Sequence, residues 1–498
     1  MSSLEKNPKT RRIGLPTREP ITYDWPVISG ADPGPDVIAL LEGWASGGHG
    51  SLARRLAHGL RHLVLAGVLP SGWQLPPERM LATRLSVSRT TITQALDELR
   101  GEDLLQSVQG SGTYVTGPPD AAPLGTRIAE HLVSGPGIDL AKGEAPDLSH
   151  LPPIGLDMAQ LNATCGGAAV NAAGLPAMRR AVAGLYNHGG ITGQPRTTAP
   201  QQIHVTAGSH QGSYLLLSAL AARGRTVAVA EWSYPGIFDV LAGCRLRAAP
   251  VRLDRSGMVP AALDDVIRRE RPAAVYVQAG PQIPTGQTAR LARVRALARV
   301  LDQHGVPVIE DTTVAAVDFS GTASMVADHC RTAMVASTGS LSKTCWSGIR
   351  LGWIRAPLAI LEKTVLRHLG SDLGPSIPSQ LLALELLPHL DTIAAERRQR
   401  LAVAVDSALE QLNRVLPDAS LTRPDGGSIL WLRLPVPDTA PLVDDARRYG
   451  VRVAPGSIHR ADKAPGPFLR VDVDRHPELV REGIDRLARA WEQVRTDA

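Results

Sequence analysis

Short apolar runs alternate with longer stretches of helical periodicity from about residue 135 to the C-terminal end. Examples of these runs are TVAVA (226–230), AAVYVQA (273–279), VPVIED (306–311) and AMVAST (333–338). Each run has the length of one buried strand, and the intervening stretches are long enough to be crossover helices. This alternation predicts an α/β domain in which helices cover a parallel sheet.

The composition of the 498-residue chain excludes several classes of protein. Apolar residues make up 43% of it, but no run approaches the roughly 18 apolar residues of a membrane span. The N-terminus has a basic run with no apolar run after it, which is not the pattern of a secretory signal. The 4 cysteines are scattered and form no metal-binding or disulfide pattern, which fits a reducing cytosol. We therefore expect a cytoplasmic protein with no metal site and no membrane partner.

Residues 37–116 are predicted to form a separate, mainly helical domain. They lie between a tail over residues 1–36, rich in Pro, Gly and charge, and a linker over residues 117–136 that begins GPPDAAPLG. The segment LLQSVQGSGTYVTG (104–117) predicts two short strands around a Gly-Ser-Gly turn. The remaining residues, 137–498, contain the α/β domain.

Three helices are predicted before the two short strands of segment 104–117. They span residues 51–69, 76–87 and 86–105. The last helix has Ser86 or Ser88 as its candidate N-cap. Its predicted buried face consists of Ile92, Ala95, Leu96 and Leu99. The second and third helices meet over a short turn, which is the geometry of a helix-turn-helix motif. Because the last helix opens with Ser-Arg-Thr-Thr, its N-terminus suits contacts with phosphates and base edges in a major groove.

The stretch GVLPSGWQLPPERMLATRLSVSRTTITQALDELRGEDLLQSVQGSGTYV, from Gly67 to Val115, resembles the GntR family of winged helices. Its turn, recognition helix and wing come in the order of that family. The resemblance implies binding to double-stranded operator DNA. It implies DNA contacts for Arg79, Ser88, Arg89 and Thr91, and a wing-tip position for Gly112. The alternative for each arginine is an ordinary solvated helix residue, and the net charge of +5 permits DNA binding without indicating it.

The strongest chemical signal is STGSLSKTCWSGIRLGW (337–353), in which a strand runs into a Gly/Ser turn that presents Lys343. Almost all basic residues of the chain are arginines. The only lysines are Lys6, Lys9, Lys142, Lys343, Lys363 and Lys463. A positioned, unprotonated lysine can form a Schiff base with an aldehyde cofactor, and the nearby Arg350 can help to hold a cofactor phosphate. A lone lysine is otherwise a surface charge.

Further segments place polar or aromatic groups at the ends of predicted strands. VPVIED ends in Asp311, and a carboxylate there can pair with a protonated ring nitrogen or, alternatively, cap a loop. In HVTAGSHQGSYLLLSAL (204–220) a Gly-Ser turn opens a helix, whose exposed amides form an anion site. In VAEWSYPGIF (229–238) the predicted strand ends at the aromatic residue Tyr234. Because open α/β sheets bind ligands at the carboxyl ends of their strands, these segments predict one site.

The lysine segment resembles that of the fold-type I aminotransferases, and more closely that of the MocR regulators. Those regulators join a GntR winged helix to such a domain. The resemblance covers most of residues 137–490 and implies the cofactor pyridoxal phosphate, with an aldimine at Lys343. It also implies a large domain, a smaller C-terminal α/β subdomain over roughly residues 385–498, and a homodimer.

The same resemblance assigns roles to the other residues of the site. The cofactor phosphate is then bound by Gly208, Ser209, His210, Ser340 and Arg350. Asp311 pairs with the ring nitrogen, and Tyr234, with Trp232 as the alternative, stacks on the ring. Arg470, in GPFLRVDVD (466–474), grips the carboxylate of an amino-compound effector or, alternatively, forms a surface ion pair.

Three positions depart from the family pattern. Thr313 replaces a tyrosine that reaches the cofactor's ring oxygen, although its hydroxyl can still reach that oxygen directly or through a water. Ile283 replaces an asparagine, and Ala169 lies near the position of a tyrosine that crosses the dimer to the phosphate. These losses weaken the case for catalytic turnover more than the case for cofactor binding.

We therefore expect a transcription regulator that depends on pyridoxal phosphate and senses an amino compound, or pyridoxal phosphate itself, rather than an enzyme. One alternative is an aminotransferase with an appended DNA-binding module. The other is a regulator whose aminotransferase-like domain no longer binds the cofactor. Multiple-turnover transamination distinguishes the first alternative, and retention of Lys343, Asp311 and Arg350 argues against the second.

Overall fold

The computed structural model describes two compact units, which divide the chain between residues 123 and 124. The described residues are 37–41, 44, 51–65, 69, 73–102, 104–108, 112–115, 127–128, 137–145, 147–165, 171–190, 194–278, 280–321 and 323–497. The predicted tail over residues 1–36 lies outside them. No helix in the described part of the chain is both long and apolar enough to cross a bilayer.

The first unit packs short helices against an antiparallel hairpin. Its helices are α1 (Val37–Leu40), α2 (Leu52–Leu65), α3 (Glu78–Arg84) and α4 (Arg89–Gly101), and its strands are β1 (Leu105–Val108) and β2 (Gly112–Val115). The predicted buried face of α4, Ile92, Ala95, Leu96 and Leu99, is confirmed. Because residues three and four apart share a helix face, these side chains form one stripe. This stripe joins Leu56, Leu60 and Leu81 in a single core.

The recognition helix α4 is shorter than the predicted span of 86–105. It begins at Arg89 because Ser88 has an extended backbone, and the Ser88 Oγ accepts a hydrogen bond from the backbone N–H of Thr91 at 3.0 Å. Of the two candidate caps, Ser88 is therefore the N-cap. The helix ends at Gly101 because the chain enters β1 at Leu105.

The helices of the second unit pack around two larger sheets, which two short strand pairs accompany. The helices are α5 (Met158–Cys165), α6 (Pro176–His188), α7 (Ser209–Leu220), α8 (Pro235–Gly243), α9 (Pro260–Glu270), α10 (Leu291–His304), α11 (Leu358–Leu369), α12 (Ile377–Leu386), α13 (Leu390–Val415), α14 (Ala440–Arg448) and α15 (Pro477–Asp497). Short 3₁₀ turns lie at Pro200–Gln202, Ala315–Val317, Val326–Asp328, Ser347–Ile349, Leu387–His389 and Gly456–His459.

The strands of this unit include every apolar run that the sequence analysis named. They are β3 (Ile138–Asp139), β4 (Ile203–Thr206), β5 (Thr226–Ala230), β6 (Arg247–Val251), β7 (Leu253–Asp254), β8 (Gly257–Met258), β9 (Ala274–Gln278), β10 (Val308–Asp311), β11 (Val335–Ser340), β12 (Gly352–Arg355), β13 (Ser420–Leu421), β14 (Ile429–Arg433), β15 (Val451–Arg452), β16 (Ala454–Pro455) and β17 (Phe468–Asp472).

The large sheet has seven strands in the order β4-β12-β11-β10-β9-β5-β6. Strands β11, β10, β9, β5 and β6 are parallel, as predicted, whereas β12 is antiparallel to both of its neighbours. Buried strands such as β5 and β9 read as continuous apolar runs because helices cover both faces of such a sheet.

The smaller subdomain is an antiparallel sheet in the order β13-β14-β17-β16, backed by α13, α14 and α15. The predicted boundary at about residue 385 leaves out the segment that contains β3 and Leu140. Strand β3 pairs with β15, and Leu140 lies in the same core as Val471 and Ile484. Residues far apart in the chain therefore build this subdomain together.

Of the predicted linker over residues 117–136, the structure describes Arg127 and Ile128. Their backbone N–H groups each donate to the carboxylate of Asp239 on α8, at 2.8 Å. The guanidinium of Arg127 donates to the carbonyl oxygens of Ile458 and Ala461. This end of the predicted linker is therefore part of the second unit.

Strand β10 ends in two buried acids whose side chains point to opposite faces of the sheet. Glu310 accepts hydrogen bonds from the backbone N–H groups of Val326 (2.6 Å) and Ala327 (3.1 Å). Burial nevertheless raises the pKa of Glu310 to about 7, because desolvation of the charged form outweighs these bonds. Asp311 faces the opposite side of the sheet, where its carboxylate accepts a hydrogen bond from Tyr276.

Glu310 should make the stability of the second unit depend on pH. Its pKa lies above the ordinary value of 4.5, so its contribution is complete below pH 4.5 and lost as the pH rises to about 7. Relative to Glu310→Gln, the wild-type free energy of unfolding should fall by about 3 kcal/mol over this window and then stay level. Urea titrations between pH 4.5 and 8.5 measure this difference, with Glu385→Gln, an exposed glutamate, as the control. A difference that does not change with pH would refute the assignment.

Candidate functional site

Lys343 lies in the turn that follows β11, at the carboxyl edge of the sheet. Its Nζ donates to the carbonyl oxygen of Gly143 at 3.1 Å. Desolvation lowers the pKa of Lys343, and the neighbouring Asp472 only partly opposes this effect. A lysine of lowered pKa supplies more of the unprotonated amine, which is the form that attacks a carbonyl.

Three segments meet in a cradle beside this turn. Gly208, with φ of 116°, is the N-cap of α7, so the first amides of that helix face the cradle. A methyl group at Gly208 would lie 3.7 Å from Arg350 Nη2 and 3.9 Å from Ser340 Oγ, so these groups border the same space. Arg350 Nη2 is oriented by a 2.7 Å hydrogen bond to the carbonyl oxygen of Ala207. A helix N-terminus, a guanidinium and a hydroxyl together suit a phosphate group.

The carboxylate of Asp311 is held by donors on both oxygens. Its Oδ2 accepts from the hydroxyl of Tyr276 at 2.6 Å, and its Oδ1 accepts from the hydroxyl (2.5 Å) and backbone N–H (3.0 Å) of Thr313. Burial, and then the negative charge of Asp311, raise the pKa of Tyr276 well above its ordinary value, so this hydroxyl stays a donor. The hydroxyl of Thr313, predicted to reach a cofactor oxygen, is committed to Asp311.

Tyr276 was missed by the sequence analysis. It lies on β9, two residues before Gln278, which pairs with Asp311 in the parallel register. Since side chains alternate between faces along a strand, Tyr276 and Asp311 face the same side. A lone tyrosine in a buried apolar run was the available signal, because a buried hydroxyl needs a partner.

Tyr234 caps the start of α8 and lies close to the predicted phosphate turn. Its ring meets that of His210 edge to face, with centroids 6.2 Å apart. Desolvation lowers the pKa of His210, so the imidazole is neutral near pH 7. Trp232, the alternative for the stacking role, instead packs edge to face against Trp431 and Phe468.

Arg470 lies on β17 and is buried. Its Nη2 forms an ion pair with Asp472 Oδ2 at 3.0 Å, and its buried Nε has no partner among the described residues. A second buried pair, Arg397 with Asp474 at 2.7 Å, lies beside it. The expected carboxylate-binding arginine is therefore already paired with a carboxylate of its own chain. The two aspartates in VDVD, directly after Arg470, were the available signal for this ion pair, and the sequence analysis did not use them.

A cavity of about 80 Å³ opens beside Lys343. The two buried ion pairs form its polar wall. Its apolar wall consists of Ile283, Val314, Val317, Leu401 and Ile429. Ile283 therefore supplies no hydrogen bond where the family's asparagine would, whereas Ala169 lies outside the described residues.

In the first unit, α3 and α4 carry the predicted DNA contacts. Arg79 and Arg89 are exposed, and Ser88 is committed to capping α4. The hydroxyl of Thr91 lies 2.8 Å from the Ser88 Oγ, so it belongs to the cap. Thr90 and Gln94, which the sequence analysis did not name, are instead exposed on α4.

Gly112 is the first residue of β2 and pairs with Val108. Its φ of 127° belongs to the region that favours glycine, and a methyl group there would meet the side chain of Gln74 at 2.4 Å. The other two residues of the predicted Gly-Ser-Gly turn, 110 and 111, lie outside the described residues.

The site and the fold agree with comparisons to known families. Residues 136–487 match the model described as aminotransferase class I and II. The chain belongs to the aminotransferase class I and II family. Residues 52–115 match the gntR family of bacterial regulatory proteins, so this aminotransferase-family domain follows a GntR helix-turn-helix region, as in MocR-type regulators.

Relatives that match most of this chain over most of their own length are named as transcriptional regulators. The chain is 27% identical over 495 residues to the HTH-type transcriptional regulator TauR of Rhodobacter capsulatus, covering 90% of this chain and 98% of TauR. It is 26% identical over 444 residues to the uncharacterized HTH-type transcriptional regulator YdcR of Escherichia coli, covering 84% of this chain and 94% of YdcR.

Solved aminotransferase structures share the fold of the second unit. LysN, an alpha-aminoadipate aminotransferase from Thermus thermophilus crystallised with N-(5'-phosphopyridoxyl)-L-leucine, superposes with a TM-score of 0.67. The match covers 76% of this chain and 97% of LysN at 24% sequence identity, so it shows the fold alone. The residues of the present site fit pyridoxal phosphate independently, with a phosphate cradle, a carboxylate for the ring nitrogen and an amine of lowered pKa.

Filling the cradle should weaken cofactor binding. Gly208→Ala places a methyl group between the Arg350 guanidinium and the Ser340 hydroxyl, where the phosphate should bind. We expect the dissociation constant for pyridoxal phosphate, measured by equilibrium dialysis, to rise at least about tenfold. Gly224→Ala is the matched control, since Gly224 also has a positive φ but open space around its Cβ position. Equal affinities in the two variants would place the phosphate elsewhere.

Proposed function

We propose that this protein is a transcription regulator that binds operator DNA through its first unit and senses an amino compound through pyridoxal phosphate in its second. The observation that carries this proposal is that Lys343, Asp311 and the Gly208–Arg350 cradle lie at one edge of the sheet, in a chain whose helix α4 exposes Arg89. Pyridoxal phosphate supplies an aldehyde with which the lysine amine condenses and for which an amino compound competes. Names of relatives such as TauR support the regulatory half of the proposal.

Each protein group has a definite task in this scheme. Lys343 presents an amine of lowered pKa, and the carbonyl oxygen of Gly143 accepts a hydrogen bond from its Nζ. Asp311 would hold the proton on the ring nitrogen, with Tyr276 and Thr313 fixing the orientation of its carboxylate. The cradle at Arg350 would hold the phosphate, and Tyr234 would flank the ring.

The contacts of Ile128 suggest how the sensor influences the DNA-binding unit. A methyl group at Gly236 would lie 2.5 Å from both the Ile128 Cδ1 and the Tyr234 ring, so these two side chains meet at the start of α8. Asp239 on the same helix accepts the N–H groups of Arg127 and Ile128. A ligand that moved Tyr234 would therefore disturb the anchored end of the segment that joins the two units. Regulation then requires the effector to bind the two conformations unequally.

Transamination is the second candidate function, and the lowered pKa of Lys343 favours it. Two positions weigh against efficient turnover. The hydroxyl of Thr313 is committed to Asp311, and Ile283 lines the cavity with a hydrocarbon side chain, so neither supplies a donor for the ring oxygen. Repeated turnover with an amino donor and a keto acceptor would make catalysis the primary function.

We further propose a homodimer that acts in the cytoplasm, where chromosomal DNA is available. Two recognition helices in a symmetric dimer read half-sites on one face of the duplex. Their spacing should be about 34–36 Å or a multiple of it. Footprinting on an enriched operator measures this spacing directly.

The cofactor half of the proposal depends on Lys343. Full-length protein with added pyridoxal phosphate should show a visible absorption band that Lys343→Ala lacks, because that variant has no amine to condense with the aldehyde. Lys363→Ala removes an exposed lysine on α11 and should keep the band. Absence of the band from wild type, or its persistence in Lys343→Ala, would leave a regulator built on a cofactor-free aminotransferase scaffold.

The DNA half depends on the exposed face of α4. Arg89→Ala should weaken binding to a double-stranded oligonucleotide, enriched from a random pool by the full-length protein, by about 5- to 150-fold if Arg89 reads a base. Arg54→Ala on α2 removes another exposed arginine of the same unit and serves as the control. Fluorescence anisotropy gives both affinities at one salt concentration, and equal losses would reduce Arg89 to a general charge contribution.

A further inference from the structure

The charge of Arg470 is balanced inside the protein by Asp472. The two side chains are buried and joined at 3.0 Å, so Asp472 already supplies the negative charge that a ligand carboxylate would bring. The unpartnered Nε of Arg470 can still donate a hydrogen bond. It does not leave an uncompensated charge.

Asp472 cannot easily move away from this pair. Its Oδ1 accepts the backbone N–H of Asp474 at 3.2 Å. Its carboxylate also packs so closely on Gly143 that a methyl group there would lie 2.5 Å from Oδ2. Because Asp472 is 1% exposed, water cannot screen its charge. A ligand carboxylate that reached Arg470 would therefore meet a fixed, buried anion.

The remaining charges of the cavity do not compensate for that anion. Arg397, the other buried arginine on the polar wall, is paired with Asp474 at 2.7 Å. The polar wall thus carries two arginines and two aspartates and is neutral as a whole. His459, close to Arg470, has its pKa lowered well below the ordinary value, mainly by desolvation, and adds no positive charge near pH 7.

The apolar lining of the cavity favours a hydrocarbon tail on the ligand. Val314, Val317 and Leu401 are buried side chains that face the cavity together with Ile283. Burying an apolar group against such a wall is favourable, whereas a charged group there would lose its hydration without gaining a partner. The cavity volume of about 80 Å³ suits a small tail rather than a long chain.

We propose that the cavity beside Lys343 takes a small primary amine with an apolar tail and no α-carboxylate, because Asp472 has replaced the ligand's carboxylate as the partner of Arg470. This inference rests on the proposed function and names the chemical class of its effector. The amine nitrogen is directed to the site of Lys343, the tail lies against the apolar wall, and the Arg470–Asp472 pair remains intact.

The test compares 3-methylbutylamine with L-leucine, which carry the same branched tail and differ by one carboxylate. Full-length protein loaded with pyridoxal phosphate is titrated with each compound, and the change in its Lys343-dependent visible band gives an apparent affinity. The amine should bind at least about tenfold more tightly than the amino acid, because leucine brings a second carboxylate against Asp472. The comparison needs no variant, so it does not depend on the folding of a mutant.

Asp472→Asn supplies the converse measurement. The substitution keeps the size of the side chain and leaves the charge of Arg470 unbalanced, so leucine should gain at least about tenfold in apparent affinity while 3-methylbutylamine changes little. Asp462→Asn is the control, since Asp462 forms an exposed ion pair with Arg460. Recovery of leucine binding in Asp472→Asn alone would identify the buried carboxylate as the group that excludes amino acids.

The outcomes separate this inference from the function on which it rests. A missing band in wild-type protein defeats both. A Lys343-dependent band with leucine binding as tightly as the amine, or with neither compound changing the band, overturns the assignment of a carboxylate-free amine and leaves the cofactor site standing.

Discussion

The reversal of one strand within the large sheet brings the phosphate cradle together. Strand β12 runs antiparallel between β11 and β4, so Gly352 pairs with Ser340 on one side and with Thr206 on the other. This register aligns the end of β11, the start of β12 and the turn after β4 in one row. A methyl group at Gly352 would lie 2.6 Å from the Gly208 Cα, so a side chain there would push the phosphate turn away from Ser340.

The parallel strands next to this row deliver the rest of the site. Strands β9, β10 and β11 end at the same edge, so Tyr276, Asp311 and Lys343 reach one crevice although they are far apart in sequence. Alternation along β10 sends Glu310 to the opposite face, where burial raises its pKa to about 7. Two adjacent acids thus differ in role because the strand places them in different surroundings.

Much of this arrangement could be predicted from the sequence because the decisive signals are local. Apolar runs predicted the strands, and the buried stripe at Ile92 and Leu99 predicted the recognition helix. Lys343 stood out in a chain that avoids lysine. Interactions between distant segments could not be read in this way. Nothing local links Tyr276 to Asp311, and the pairing of β3 with β15 joins segments from opposite ends of the second unit.

The roles of Thr313 and Arg470 show where a resemblance to a family stops being a guide. A residue type at an aligned position says which atoms are available, but the neighbours decide which partners those atoms take. The hydroxyl of Thr313 is used by Asp311, and the guanidinium of Arg470 is used by Asp472. Both commitments withdraw protein groups from the ligand while leaving Lys343 and the phosphate cradle intact. We infer that these two commitments favour an amine without a carboxylate over an amino acid as the ligand of this site.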